Sequence, residues 1–175
     1  MTRLFALLLG IVILACSNQN KLSQQRYHVE ESRGSKILVG EITPDLLWNQ
    51  LPDWKEEYEL FKPDPVTVGK FSNITRPFQI ICVLGTWCSD SKVGVPPFLK
   101  TLESANNPNL SITLYAVDRN KQDPYEIAKK YNIDRVPTFI VLSGNKEIGR
   151  MVEFPENSFE TDFLNILETS GLVED

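Results

Sequence analysis

One histidine, His28, and three cysteines, Cys16, Cys82 and Cys88, are all that 175 residues offer a soft metal ion. They are scattered without metal-ligand spacing, so zinc and haem sites lack donors and no cofactor is expected. With its one histidine in a polar N-terminal stretch, the chain also lacks the parts for a Ser-His-Asp hydrolase. No cluster of Lys and Arg is present and the formal net charge is -5, which speaks against nucleic acid as a partner. Internal repeats and low-complexity tracts are missing too. The apolar run Leu4 to Leu14 is too short to span a bilayer. A last absence is chemical: one helical turn after Cys88, where a Cys-x-x-Cys pair would carry its second thiol, stands Ser91.

The remaining composition, 42% hydrophobic and 23% charged, suits one globular domain with trimmings. Arg3 followed by the apolar run reads as a signal peptide over 1–15. It ends at Ile13-Leu14-Ala15-Cys16, which resembles the lipobox of bacterial lipoproteins. Cys16 would then be lipidated and leave the redox count, and the domain would work outside the cytoplasm. The alternative is an uncleaved anchor, or an ordinary signal peptide with a chance cysteine. Ser17 after the cysteine resembles an outer-membrane address. Residues 16–36, rich in Asn, Gln, Ser and Lys, read as a flexible tether.

An N-terminal extension over 37–75 follows. Lys36 to Ile42 reads as a short strand, and Thr43-Pro44-Asp45 as a helix start with hydroxyl cap, proline and acid in order. Trp48, Trp54, Tyr58 and Phe61 then form a mixed aromatic pattern, read as core packing with a ligand groove as the minor reading. From Arg76 the pattern is strand (Phe78–Leu84), helix (about Ser89 to Leu102), strand (from Leu110), helix (from Asp123-Pro124), a hairpin on Ser143-Gly144-Asn145, and a last helix capped by Asn157 or Ser158. This order predicts an α/β fold with a mixed central sheet flanked by helices.

Gly85-Thr86-Trp87-Cys88-Ser89-Asp90-Ser91-Lys92 joins the first of these strands to its helix. A cysteine at a helix start meets free N–H groups and the positive dipole end, which favour a thiolate. Ser91 is placed to donate to that sulfur. Asp90 acts against a second negative charge or caps the helix, and Lys92 partly offsets it.

Over about Arg76 to Val173 the chain resembles the thioredoxin superfamily. Trp87-Cys88 after a buried strand, Lys92, Pro96 within the helix, Val117-Asp118, and Arg135-Val136-Pro137-Thr138 before a strand pair carry the resemblance. More narrowly, Gly-Thr-Trp-Cys-x-Asp-Ser, Val-Pro-Thr-Phe and Ile-Gly-Arg-Met-Val-Glu-Phe-Pro look like single-cysteine thioredoxin-like lipoproteins of Bacteroidetes type. The resemblance implies a thioredoxin-like domain over 76–175 with a cis-proline at Pro137. It also implies a substrate edge at Trp87, Val136, Pro137 and Thr138. Departures are Ser91 for the resolving cysteine, Asp90 in the motif, Cys82 where thioredoxins carry a buried acid, and Glu153 or Phe154 where they place a glycine near the active site.

The expected activity is that of a membrane-tethered monothiol oxidoreductase or isomerase. Cys88 would be the nucleophile, Ser91 and Asp90 would modulate it, and an external thiol would resolve its mixed disulfides. Its partners would be protein or low-molecular-weight thiols and disulfides, with the membrane held through Cys16. The expected location is the cell envelope, at the outer membrane facing the periplasm. Cys82 reads as a buried core residue, with a secondary resolving thiol as the sharper alternative. A non-catalytic binding module keeping the peptide-docking edge is the alternative function. A thiol peroxidase is disfavoured, because Ile81 and Gly85 stand where its Pro and Thr would be.

Overall fold

Near-continuous runs of Val, Ile, Leu and Phe build the central strands, and the two faces of these strands sort the core into two layers. The computed structural model describes residues 26–172. The expected signal peptide, the lipidation at Cys16 and the first part of the tether lie outside the described residues. The elements run β1 (Tyr27–Ser32), β2 (Ser35–Ile42), α1 (Pro44–Gln50), α2 (Pro52–Leu60), α3 (Pro65–Ser72), β3 (Phe78–Leu84), α4 (Ser89–Ala105), β4 (Leu110–Ala116), α5 (Ile127–Lys130), β5 (Thr138–Ser143), β6 (Lys146–Val152) and α6 (Phe159–Thr169). They form one six-stranded sheet in the order β1-β2-β4-β3-β5-β6. Only β3 and β4 pair in parallel, and α4 is the crossover between them. The mixed sheet with flanking helices is the fold the sequence predicts.

One expectation needs correction: the sequence predicts a tether to residue 36, yet Tyr27–Ser32 is a strand paired antiparallel with β2 from Tyr27↔Gly40 to Ser32↔Ser35. Arg33 (φ 52°) and Gly34 (φ 76°) make its two-residue turn, the left-handed pair that matches strand twist. Strand β1 is a polar edge, so no apolar alternation announces it. Gly40 is required beside it: a Cβ there would lie 2.5 Å from the Arg26 carbonyl oxygen, which accepts from Glu41 N–H at 2.9 Å.

The extension expected over 37–75 packs into the same core as the elements that follow it. Strand β2 pairs with β4, and Leu47, Trp54 and Phe71 share one apolar cluster with Phe98, Phe139 and Phe163. Phe71 lies 5.0 Å from Phe163 and Phe98 lies 4.9 Å from Phe139, centroid to centroid, the spacing of offset aromatic pairs. The extension and the rest therefore fold as one packing unit. Trp54 is buried in the core, while Trp48 packs on Tyr58 at 4.8 Å and the two line a groove of about 310 Å³ with Leu99 and Ile112. Helix α4 holds Pro96 and Pro97 inside its length. It also meets α6 at Gly94, where a Cβ would come within 2.4 Å of the Phe159 ring.

Strand β3 divides the two layers. Ile80, Cys82 and Leu84 point into the layer covered by α3, α4 and α6. Ile81 and Val83 point to the opposite face, among Val117, Ala128, Ile133, Val136 and Ile140. That parity decides which cysteine reaches the functional surface.

Candidate active site

Strand β3 ends at Leu84, and Gly85 to Cys88 turn the chain into α4. The Cys88 N–H donates to the Gly85 carbonyl at 2.9 Å, and the Cys88 carbonyl accepts from Lys92 N–H at 3.1 Å. Cys88 is thus the N-cap of α4, in extended conformation, and its side chain makes no capping bond. Gly85 is needed for space: a Cβ would sit 2.8 Å from the Trp87 indole. The indole is held from its other end, with Nε1 donating to the Val117 carbonyl at 3.0 Å. Trp87 and Cys88 are both half-buried and pack against the second core layer.

The sulfur meets the opposite loop. Cys88 Sγ donates to the Val136 carbonyl at 3.3 Å, and Val136-Pro137 is a cis peptide. Val136 is buried, which fixes this carbonyl in place. Pro137 in turn offers its carbonyl to Glu153 N–H at 2.8 Å, and Glu153 adopts a left-handed conformation, φ 54°. Arg135 Nη1 closes the same loop on Glu153 Oε2 at 2.8 Å. Phe154, the next residue, is 70% exposed. Trp87, Cys88, Val136 and Pro137 are therefore brought together as the resemblance implies.

Other expected site residues are placed differently. Thr138 is buried and its hydroxyl donates to the Arg135 carbonyl at 2.7 Å, so it braces the loop from inside. Ser91 was expected to donate to the Cys88 sulfur. It is fully buried and its Oγ accepts from Gly85 N–H at 3.2 Å, so it secures the turn. Asp90 makes no helix cap; its carboxylate accepts only from the Ser89 hydroxyl at 3.4 Å among the described residues. Lys92 does not offset Asp90, because its ammonium pairs with Asp53 of α2 at 3.0 Å. The Asp53 hydrogen bond holds Lys92 above the ordinary lysine range.

Cys82 lies wholly inside the other core layer. Burial pushes its thiol well above the ordinary thiol range. It and Cys88 are both free, and the sheet stands between the layers they pack in. Cys82 is a core residue, and the resolving-thiol alternative loses its geometric basis.

Residues that the sequence did not single out complete the surroundings. Thr86 Oγ1 accepts from Leu38 N–H at 3.0 Å, fastening the motif to β2. Arg119, just beyond β4, lies over the Trp87 ring at 5.3 Å. Neither carries a local signal, because each acts through a partner distant in sequence. A depression of about 850 Å³ around α5, lined by Asn120, Gln122, Glu126 and Lys129 among others, includes neither Cys88 nor Pro137. Among the described residues no cluster of three or more His, Cys, Asp or Glu could hold a metal ion. No helix among them is long and apolar enough to cross a membrane.

Solved structures that match part of the chain include three from different sources. A protein of unknown function from Pseudomonas aeruginosa is 12% identical, with TM-score 0.49 over 69% of this chain and 74% of that one. Thioredoxin-2 of a malaria parasite is 18% identical, with TM-score 0.42 over 55% and 86%. Thioredoxin O2 of Arabidopsis thaliana, in its oxidised state, is 17% identical, with TM-score 0.40 over 59% and 86%. No curated protein sequence matches the chain. The thioredoxin family model matches residues 47–161, most of the chain and on both sides of residue 75. The chain belongs to the thioredoxin family.

Proposed function

We propose that the chain is a monothiol thiol–disulfide oxidoreductase working through Cys88. The observation that carries the reading is one half-buried thiol facing the Val136 carbonyl at a cis-proline loop, with the other described cysteine shut inside the opposite layer. In the first step Cys88 gives up its proton and its sulfur attacks a substrate disulfide. The Cys88–S bond forms, the substrate S–S bond breaks, and the leaving thiolate takes up a proton. In the second step an external thiol attacks the mixed disulfide, carries the substrate sulfur away as a new disulfide, and returns Cys88 reduced. Isomerisation and removal of small thiol caps suit this cycle better than net dithiol reduction.

The sequence features at Arg3 to Ala15 and Cys16 add a place to the proposal. They support a lipid anchor in a bacterial cell envelope, at the outer membrane facing the periplasm, with protein or small thiols and disulfides as partners. The test of the chemistry is mixed-disulfide capture from oxidised substrate by the wild-type chain and by Cys88→Ser. Unchanged turnover in a disulfide-exchange assay after Cys88→Ser would sink the proposal.

One observation favours a second reading, a binding module. The bond from Cys88 to Val136 needs the proton on sulfur, and it occupies a carbonyl that a docking strand would use. A module of this kind keeps its partner after Cys88→Ser, whereas the enzyme loses it once the covalent link is gone.

A further inference from the structure

Among the described arginines, Arg119 is the half-buried one that pairs with no carboxylate. Arg26, Arg135 and Arg150 each pair with a glutamate, and Arg33 and Arg76 stand exposed on the surface. Arg119 is half-buried, and no carboxylate among the described residues pairs with it. Its neighbour Asp118 is turned into its own loop, where it accepts from Asn120 N–H and Gln122 N–H, both at 2.8 Å. A half-buried charge with no counter-ion is costly, in a chain whose net charge is -5.

The guanidinium is nevertheless held in place. Its Nε donates to Ser32 Oγ at 2.9 Å, from the end of β1, and its Cζ lies over the Trp87 ring, 5.3 Å from the centroid. A guanidinium whose charge lies over an aromatic ring keeps N–H donors in a fixed fork for a planar acceptor. Nη1 and Nη2 have no acceptor among the described residues. The indole that carries the guanidinium belongs to the residue directly before the thiol, and that indole is itself fixed to Val117.

We infer that Arg119 is a substrate-recognition residue, taking a carboxylate that lies next to the reacting disulfide. The substrate class is then an anionic disulfide: a small thiol disulfide bearing carboxylates, or a cystine flanked by acidic groups. This rests on the proposed attack by Cys88 and adds the polarity of the disulfide attacked. Arg119 touches the carboxylate; the bond exchange stays between Cys88 and the two substrate sulfurs.

The experiment compares two aromatic disulfides that release a coloured thiol on attack, a dianionic nitrobenzoate disulfide and a neutral dipyridyl disulfide. Rates are measured for the full chain in detergent, with Cys88→Ser subtracting Cys16 and Cys82. Arg119→Gln is expected to slow the anionic probe about three- to tenfold relative to the neutral one, the range of a partly exposed charged contact. High salt is expected to erase that difference in the wild type. Arg119→Lys is expected to recover part of it. Equal slowing of both probes, or of neither, overturns the recognition role, because a packing role on Trp87 acts on both alike. If the wild type attacks neither probe faster than Cys88→Ser, the oxidoreductase reading fails instead, so the two failures are told apart.

Discussion

The Cys88 sulfur and the Val136 carbonyl oxygen face each other at 3.3 Å, thiol to acceptor. This bond holds the reduced thiol against the edge where an extended substrate would dock. A docking strand has to compete for that carbonyl, and ionisation of the thiol releases it. In the proposed function, resting state and substrate binding would therefore be coupled at one backbone atom.

Ser91→Ala is expected to destabilise the fold by about 1–3 kcal/mol, because the buried Gly85 N–H loses its acceptor. The first attack by Cys88 should survive in the folded fraction. Denaturant melts beside single-turnover thiol release measure the two effects separately. A variant of full stability and lost attack contradicts the structural role.

Ser91→Cys places a second thiol one helical turn from Cys88. The mixed disulfide is then expected to resolve within the protein, shortening its lifetime at least about tenfold. Net reduction of a protein disulfide should rise in parallel. Mass spectrometry of quenched reactions reads the lifetime, and an unchanged lifetime argues that the site cannot run a dithiol cycle.

Gly85→Ala forces a methyl group to within 2.8 Å of the Trp87 indole, so the ring or the turn has to shift. The expected cost is about 1–3 kcal/mol, typical of overpacking. Trp87 emission should move with it. Unchanged emission and melting contradict the close packing of Gly85 under the ring.

Cys82 keeps its proton in the folded chain, since burial raises its pKa. Its contribution to stability is whole below about pH 8.5, where the unfolded thiol begins to ionise, and is lost progressively above it. Cys82→Ala should make stability fall less steeply between pH 8.5 and 10, on the order of one thiol's share of the slope. A parallel pH profile for the two proteins contradicts this assignment.

Phe154 stands exposed one residue beyond Glu153, whose N–H holds the Pro137 carbonyl. Phe154→Ser should change stability by less than about 0.5 kcal/mol, as surface substitutions do. Exchange with a protein disulfide should slow more than exchange with a small one. Equal rates for both substrates would show that Phe154 takes no part in docking.

Most of the fold was legible in the sequence because its signals are local. Pro44 after Thr43, the apolar run from Phe78 to Leu84, and Gly144 in the hairpin each specify an element on their own. Thr43 and Ser158 do cap α1 and α6 as read. Strand β1 was missed because a polar edge strand has no apolar period, and its only signal was the Arg33-Gly34 turn. At the site, Cys88 and Pro137 were legible from the motif and from the proline ahead of β5. The partners of Ser91 and Lys92 were not, since Gly85 N–H and Asp53 take them through tertiary packing. Arg119 reaches Trp87 only because Val117 brings the end of β4 beside the indole.

The most direct test of the central claim is the rate at which Cys88 of the full chain captures oxidised glutathione, followed by intact mass. The account predicts an adduct on Cys88, forming at least about tenfold faster than on a free cysteine derivative at equal pH, released by added thiol and missing from Cys88→Ser. Capture at the rate of the free derivative, or equally fast capture by Cys88→Ser, would contradict it and turn attention to the docking edge as a binding surface.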